Sequence, residues 1–252
     1  MKITVLTLFK EMYDGFLNTS IIKRIIDKGL VDIKLVDIRD YSLDKHKHVD
    51  DTPYGGGAGM LMKVDVVDRA IKDNSDNKPY ILLTSPKAKP LIQKDMLRLS
   101  KLDSLMIVCG HYEGIDARIE KYVDEKVSIG DYVLTGGELP SMVIMDSILR
   151  LLDDSISSES LKEESFTDGL LEYPQYTRPV EYDNEKVPDV LTNGNHSEIR
   201  RYNLKNSLKE TLKYRPDLLK ERVFSKEEKE LLYEIEEENT PILKDILIDK
   251  ID

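Results

Sequence analysis

Cysteine, tryptophan and long apolar runs are absent or nearly so in this sequence. Its 252 residues contain no tryptophan and one cysteine, Cys109. A lone cysteine excludes an intramolecular disulfide and any cluster of cysteine ligands, so we interpret Cys109 as a small apolar residue of a core strand. No stretch approaches the roughly 18 apolar residues of a membrane span, and the apolar run in the N-terminal MKITVLTLFK is too short for a signal peptide. These absences predict a cytoplasmic protein.

Positive charge is also in deficit. The chain carries 37 Lys and Arg against 48 Asp and Glu, a formal net charge of −11. Such a surface does not favour indiscriminate binding of nucleic acid or anionic membrane. Any polyanionic partner must therefore meet a local basic patch.

Three chemical signatures are missing as well. The chain has no GxxxxGK[ST] motif, and in GGGAGM Met60 stands where a dinucleotide fingerprint needs glycine. The histidines show no zinc spacing such as HExxH, so we interpret them as surface or loop residues. They are His46, His48, His111 and His196. The sequence therefore indicates no metal site.

Short runs rich in β-branched and other apolar residues alternate with helical patterns through the first 150 residues. The predicted strands are 3–9, 31–38, 80–83, 104–109 and 125–129. The first predicted helix has Ser20 as its N-cap and Gly29 as its stop. The later ones are 65–72, 90–100, 116–122 and 139–152. This alternation predicts an α/β fold, a mostly parallel sheet with helices on both faces.

The composition changes after residue 152. The run DDSISSESLKEES is acidic and serine-rich, which is typical of a linker. Beyond Pro188 only helical patterns remain, at 197–213, 225–238 and 241–248. We therefore predict an α/β domain at 1–155, a flexible linker at 156–174 and a small helical C-terminal domain at 175–252.

Three loops that follow predicted strands are unusual. TSPKAKP follows Leu83, GHYEGID follows Cys109 and GDYVLTGGELP follows Ile129. In a parallel sheet such loops gather at one edge, where ligands bind. Glycine lets main chain approach a ligand closely and proline fixes direction, so together the loops could form a pocket walled by backbone. The alternative is three ordinary tight turns.

Several longer motifs resemble one known family. They are VDDTPYGGGAGMLM, CGHYEGIDARI, IGDYVLTGGELPSM, SFTDGLLEYPQYTRP and VPDVLTNGNHSEIRRYNLKNSL, in order along nearly the whole chain. They are similar to those of the bacterial tRNA (guanine-N1)-methyltransferases of the TrmD type, in the SPOUT superfamily. The resemblance implies methyl transfer from S-adenosylmethionine to N1 of the guanosine 3′ to the anticodon in tRNA. It also implies a C-terminal trefoil knot in the α/β domain, which general topology rules would not suggest.

The knot would explain the glycines, because side chains on Gly130, Gly136 and Gly137 would collide where the chain threads its own loop. The resemblance implies that S-adenosylmethionine binds there in a bent shape. The implied contacts are Leu83, Thr84, Ser85, Pro86, Gly110, Tyr112, Glu113, Gly114, Ile129, Gly130, Asp131, Tyr132, Val133, Leu134, Gly136, Gly137 and Pro140.

Methylation at N1 needs a base for the N1 proton and a cation for the charge that develops at O6. In the family the base is an aspartate directly before a Ser-Phe pair. This chain has Glu164 there, one methylene longer, which leaves Asp168 as a rival. Arg150 matches the family's catalytic arginine. Without the resemblance, the acids would be interpreted as solvated linker residues and Arg150 as an exposed helix charge.

A basic helix face in the C-terminal domain is the local patch that an acidic protein needs for RNA. Residues 200–222 contain eight basic and three acidic residues. The predicted tRNA contacts are Arg200, Arg201, Lys205, Lys209 and Lys213, beside a stripe of Leu204, Leu208 and Leu212. Asn195 and Glu198 resemble a capping box. Alternatively, the charged face is simply solvated.

The resemblance further implies a homodimer with a shared active site, while the composition predicts no membrane partner. The resemblance implies magnesium dependence too, although no ligand cluster in the sequence names a site for the ion. The resemblance also implies that the loop DDTPYGGGAGM lies near the target base. In this loop Thr52 and Ala58 stand where the family more commonly carries Arg and Pro, so the resemblance supports its RNA contacts less firmly. The rival interpretations are a SPOUT methyltransferase acting on another RNA position and a non-catalytic RNA- or ligand-binding module.

Overall fold

A computed structural model describes residues 1–155, 164–220 and 222–237 of the chain. The chain divides into two compact units, Met1–Ser157 and Ser158–Asp252. The predicted helix 241–248 lies outside the described residues. Each unit has its own hydrophobic core, and each is described by itself.

The first unit is built on a five-stranded parallel sheet. Its strands are β1 Lys2–Thr7, β2 Asp32–Asp37, β5 Tyr80–Thr84, β6 Ser104–Val108 and β7 Glu125–Val127. Their order across the sheet is β2-β1-β6-β5-β7. All five predicted strands form, which confirms the α/β interpretation. Two short strands, β3 Asp50–Asp51 and β4 Leu61–Met62, pair antiparallel outside this sheet.

Helices connect the strands and cover both faces of the sheet. They are α1 Asp14–Leu17, α2 Ser20–Asp27, α3 Val64–Asp73, α4 Gln93–Leu99 and α5 Glu138–Leu149. The predicted helix 116–122 is a 3-10 helix, Ala117–Tyr122. Ser20 as an N-cap is wrong, because the extended cap residue is Thr19. Gly29 ends α2 as predicted, with φ +71° and its amide donating to Ile26.

Strand β6 shows why both faces of the sheet are buried. Leu105 and Ile107 belong to one core cluster, with residues of α2, α4 and α5. Met106 and Val108 belong to a second cluster, with residues of α3. Each of these side chains is fully buried, which stabilises the fold by about 1.5–3 kcal/mol per large apolar residue. Alternate residues of one central strand thus anchor two helical layers.

The register of the sheet brings three loops to one edge. Leu83 lies opposite Val108, and Thr84 lies opposite Val127, so β6, β5 and β7 end side by side. The loops that follow these strands begin at Ser85, Cys109 and Ser128. They are the three loops whose glycines and prolines the sequence singles out.

The second unit is mainly helical. Its helices are α6 His196–Tyr214 and α7 Lys226–Glu237, with 3-10 helices at Asp189–Leu191 and Pro216–Leu219. A two-stranded hairpin pairs β8 Glu181–Tyr182 with β9 Glu185–Lys186. The predicted stripe on α6 packs inward, with Leu208 and Leu212 buried and Leu204 partly so. The Asn195 side chain accepts from the Glu198 amide, which is one half of the predicted capping box.

Residues 164–172 pack within the second unit, although the sequence places them in the flexible linker. Leu170 is 2% exposed in the core that contains Leu208 and Leu212. The Leu171 amide donates to Thr211 Oγ1 at 2.9 Å, and the Glu172 amide donates to Ser165 Oγ at 2.9 Å. An apolar anchor beyond the acidic, serine-rich run thus ties this segment to α6.

Candidate functional site

The three loops enclose a cavity of about 510 Å³ at the carboxyl edge of the sheet. Small-molecule sites usually occupy about 300–1,000 Å³. The cavity is lined by Leu83, Thr84, Ser85, Pro86, Gly110, Tyr112, Glu113, Gly114, Ile129, Gly130, Tyr132, Val133, Leu134, Gly136, Gly137 and Pro140, all predicted donor contacts. Asp131, in the loop after β7, is a predicted donor contact that is not among the lining residues. His111, which the sequence suggests is only a surface or loop residue, does line the cavity.

Main-chain contacts fix the loops to one another. The Gly137 amide donates to the Gly110 carbonyl at 2.8 Å. The Thr84 hydroxyl donates to the Val108 carbonyl at 3.2 Å and accepts from the Gly110 amide at 3.3 Å. Hydrogen bonds to main-chain groups therefore join the loops that form part of the cavity wall.

Gly137 is where the backbones come closest. A Cβ at this position would lie 2.6 Å from Cys109 Cα and 2.8 Å from the Gly110 nitrogen. At Gly136 a Cβ would meet His111 and Glu138, and at Gly130, where φ is +154°, it would meet the Tyr132 ring. All three glycines therefore stand where a side chain would collide. Only at Gly137 are the nearest atoms largely main chain, which cannot move aside.

A buried polar network lies behind the cavity wall. Glu138, at the start of α5, is 1% exposed. Its Oε1 accepts from Thr7 Oγ1 at 2.7 Å, and its Oε2 lies 2.7 Å from His111 Nε2. The ring of Phe9 packs edge-on to His111, with centroids 5.0 Å apart. The only sequence signal for this network was a carboxylate directly before the apolar run LPSMVI.

A second set of buried polar groups lies next to the first. Tyr13 Oη is 2.6 Å from Ser141 Oγ and 3.5 Å from Cys109 Sγ. Burial raises the pKa of Tyr13 far above its usual range. Burial, followed by the charge of Glu138, raises the pKa of the Cys109 thiol to about 12. Both groups stay neutral at physiological pH, and Cys109 is the buried core residue that the sequence predicts.

The two predicted catalytic residues belong to different units. Arg150 is the half-buried C-cap residue of α5, in the first unit. Glu164 is half-buried in the second unit, where its carbonyl accepts from the Thr167 amide at 3.2 Å.

Asp168, the rival base, forms part of a turn. Its Oδ1 accepts from the Leu170 amide at 3.1 Å, and its Oδ2 lies 3.8 Å from Arg222 Nη2. Arg222 also donates to the Asp168 carbonyl at 2.5 Å. The backbone and side chain of Asp168 thus both hold the local fold of the second unit.

The predicted basic face of α6 is partly paired with carboxylates of α7. Arg200 lies 2.8 Å from Glu227, while Arg201 and Lys205 lie 2.5 and 2.9 Å from Glu234. Hydrogen bonds from Arg201, then from Lys205, lower the pKa of Glu234 to about 2. The remaining predicted contacts are Lys209 and Lys213, the latter 4.7 Å from the centroid of the Tyr214 ring.

The described residues contain neither a candidate metal site nor a helix that could span a membrane. Within residues 1–155, 164–220 and 222–237, no group of three or more His, Cys, Asp and Glu is arranged to hold a metal ion. In the same residues, none of the helices is both long and apolar enough to cross a bilayer.

Comparison with known proteins assigns the chain to a family. The sequence model of the family described as tRNA (Guanine-1)-methyltransferase TrmD matches residues 1–221. A tRNA (guanine-N(1)-)-methyltransferase of Syntrophomonas wolfei subsp. wolfei is 51% identical over 236 residues, 93% of this chain and 97% of that protein. A protein of the same name from Clostridium novyi is 52% identical over 234 residues, 92% of this chain and 97% of its own length.

The structure is that of an α/β protein with a cavity at the carboxyl edge of its sheet, and the comparisons identify its class as a tRNA methyltransferase. The chain belongs to the TrmD family of tRNA (guanine-1)-methyltransferases.

We expect Gly137→Ala to destabilise the first unit by about 1–3 kcal/mol, because the new methyl group would overlap fixed main-chain atoms. The measurement is the free energy of unfolding from urea titration, followed by circular dichroism. Gly15→Ala is the matched control, since a Cβ at Gly15 would meet nothing within 4 Å. Equal stability of the two alanine variants would contradict the packing described here.

Proposed function

We propose that this chain transfers a methyl group from S-adenosylmethionine to N1 of the guanosine 3′ to the anticodon in tRNA. The observation that carries the proposal is the backbone-walled cavity at the sheet edge of a chain that matches the TrmD family over residues 1–221. Because tRNA is the substrate, the reaction takes place in the cytoplasm.

The cavity has the character that the methyl donor requires. Leu83, Leu134 and Pro140 supply apolar surface, and the hydrogen-bonded loops around Gly110 and Gly137 supply main-chain groups. The missing side chain at Gly137 lets main chain from two loops come into contact at the wall. A trefoil knot in residues 84–140 accounts for this crowding, and we include it in the proposal.

The bound donor supplies an activated methyl group on a sulfonium. Glu164 would take the proton from N1 of the guanine, so that the N1 electron pair could accept the methyl group and the electrons of the S–CH₃ bond would stay on sulfur. Arg150 stabilises the negative charge that develops at O6 of the guanine. Because the methyl group arrives activated, no covalent enzyme intermediate is required and orientation supplies much of the remaining acceleration.

The local fold favours Glu164 over Asp168 as the base. The Asp168 carboxylate accepts from the Leu170 amide and lies near Arg222, so its removal from the turn would cost those contacts. Glu164 stands directly before Ser165 and Phe166, the position at which the family carries its base. The longer side chain of glutamate needs only a small adjustment to reach the same proton.

A homodimer with a shared active site completes the proposal. Helix α5 is apolar on most sides, and Leu139 and Val143, one helical turn apart, are 50% and 49% exposed. Val133, in the loop before α5, is 83% exposed. A second copy of the chain would cover these residues. The dimer would pair Arg150 of one protomer with Glu164 of its partner.

The tRNA would meet the basic face of α6. Arg200, Arg201 and Lys205 are held there by acids of α7, and phosphates can displace carboxylates as their partners. Lys209 and Lys213 extend the same helix. Binding through phosphates predicts strong salt dependence. The described residues contain no cluster of His, Cys, Asp and Glu that could hold a metal ion, so the proposal assigns magnesium to no residue.

Product analysis tests the function directly. The protein is incubated with methyl-labelled S-adenosylmethionine and unmodified tRNA transcript, and the RNA is digested to nucleosides. We expect the label in 1-methylguanosine from the position 3′ to the anticodon. Label in another nucleoside would indicate a different RNA target, and donor binding without transfer would indicate a non-catalytic module. Either result would contradict the proposal.

Glu164→Gln should slow single-turnover methylation about 100-fold or more, since a positioned general base contributes roughly 10²–10⁴-fold. Asp168→Asn is the matched control and should retain the rate within about tenfold, because it chiefly perturbs a turn. Single-turnover assays at saturating donor and tRNA separate chemistry from binding. If only Asp168→Asn stopped turnover, Asp168 would be the base.

Glu234→Gln should strengthen tRNA binding by up to about fivefold, because it removes a carboxylate that competes with phosphate for Arg201 and Lys205. Filter binding at fixed salt measures the change. Glu230→Gln removes the same charge from α7, where Glu230 faces Lys226 at 3.8 Å, and should have a smaller effect.

Neutralising Arg201, Lys205 and Lys209 together should weaken tRNA binding and leave donor affinity unchanged. Unchanged tRNA affinity would remove α6 from the interface.

A further inference from the structure

The buried carboxylate of Glu138 needs a partner, and His111 provides it. A carboxyl group that is 1% exposed is costly to bury unless its oxygens have hydrogen-bond partners. Thr7 donates to one oxygen, and His111 Nε2 lies 2.7 Å from the other, with a His111 side chain only 15% exposed. The pair therefore joins three separate parts of the first unit: the end of β1, the loop after β6 and the first turn of α5.

The geometry around the pair is tightly constrained. His111 forms an isolated antiparallel bridge with Gly136, and its ring packs edge-on to Phe9 at 5.0 Å. A Cβ on Gly136 would lie 2.6 Å from Glu138 Oε2 and closer still to the His111 ring. The missing side chain at Gly136 thus leaves the space that the His111–Glu138 bond occupies.

His111 also belongs to the wall of the cavity. It lies in the loop that supplies Gly110, Tyr112, Glu113 and Gly114 to the lining, and its carbonyl accepts from the Gly114 amide at 3.0 Å. The orientation of this loop determines where its main-chain groups point. The bond to Glu138 is the side-chain contact that holds the middle of the loop against α5.

We propose that His111 is a positioning residue for the methyl-donor site: its bond to Glu138 holds the loop 110–114 in the conformation that accepts S-adenosylmethionine. This inference rests on the proposed function, which places the donor in the cavity. A loop that occupies the binding conformation only part of the time lowers the apparent affinity by that fraction. The loss should therefore fall on donor binding rather than on the methyl-transfer step at saturating donor.

The test separates positioning from fold stability. His111→Phe keeps an aromatic ring beside Phe9 but loses the bond, and Glu138→Leu removes the buried charge. Each single variant should unfold more easily, whereas the double variant should recover much of the stability, because apolar side chains can replace a buried pair. Thermal unfolding reports stability, and calorimetric titration with S-adenosylmethionine reports the Kd of the folded protein.

We expect the Kd for the donor to rise roughly tenfold or more in His111→Phe and to stay raised in the double variant despite its recovered stability. The KM for the donor should rise with it, and kcat at saturating donor should stay within about threefold. His111→Gln can still donate to Glu138 and should bind the donor within about threefold of the wild type, while exposed His46→Ala should bind normally.

If the double variant or a folded His111→Phe variant bound the donor within twofold of the wild type, the proposed role of His111 would be overturned. The proposed function would not be affected by that result. Should neither variant fold, His111→Gln decides the question, because glutamine can still donate a hydrogen bond to Glu138. A tenfold loss of donor affinity in His111→Gln would show that this hydrogen bond does not hold the loop, and would overturn the proposal. Wild-type protein that binds no donor would overturn the proposed function, and this inference with it.

Discussion

The close approach of Gly137 to the main chain at Cys109 and Gly110 is the constraint on which the candidate site depends. Its amide donates to the Gly110 carbonyl at 2.8 Å, and a Cβ there would lie 2.6 Å from Cys109 Cα. Because β5, β6 and β7 end side by side, this contact joins the loop after β7 to the loop after β6 across the mouth of the sheet. This hydrogen bond and the close contact at Gly137 thus fix the position of one loop against the other at the cavity.

The polar groups behind that wall explain how an apolar core tolerates a carboxylate beside a ligand cavity. Glu138 has both oxygens paired, and Tyr13, Ser141 and Cys109 stay neutral in the same region. The two residues to which we assign the chemistry lie outside this network, since Arg150 is the C-cap of α5 and Glu164 belongs to the second unit. The first unit thus contains the cavity, and the proposed chemistry requires a carboxylate from the second unit.

Much of the fold follows from the sequence, because buried parallel strands are continuous apolar runs and the five strands carry that pattern clearly. Local features were harder to predict. Ser20 was a wrong N-cap because serine and the preceding Thr19 are both favourable caps. The acidic run before Leu170 is typical of a linker, so the sequence does not indicate that Leu170 is buried. The sequence of α6 predicts an unpaired basic face, because its partners on α7, such as Glu234, are remote in sequence. His111 could not be found for the same reason, since Glu138 lies 27 residues away.

A crystal structure of the protein with S-adenosylmethionine tests the central claim most directly. We predict the donor bent within the cavity between the loops at Thr84, Gly110 and Gly137, with hydrogen bonds to main-chain groups and the methyl group open to the guanine. A donor bound outside these loops, or held mainly by side chains, would contradict this claim.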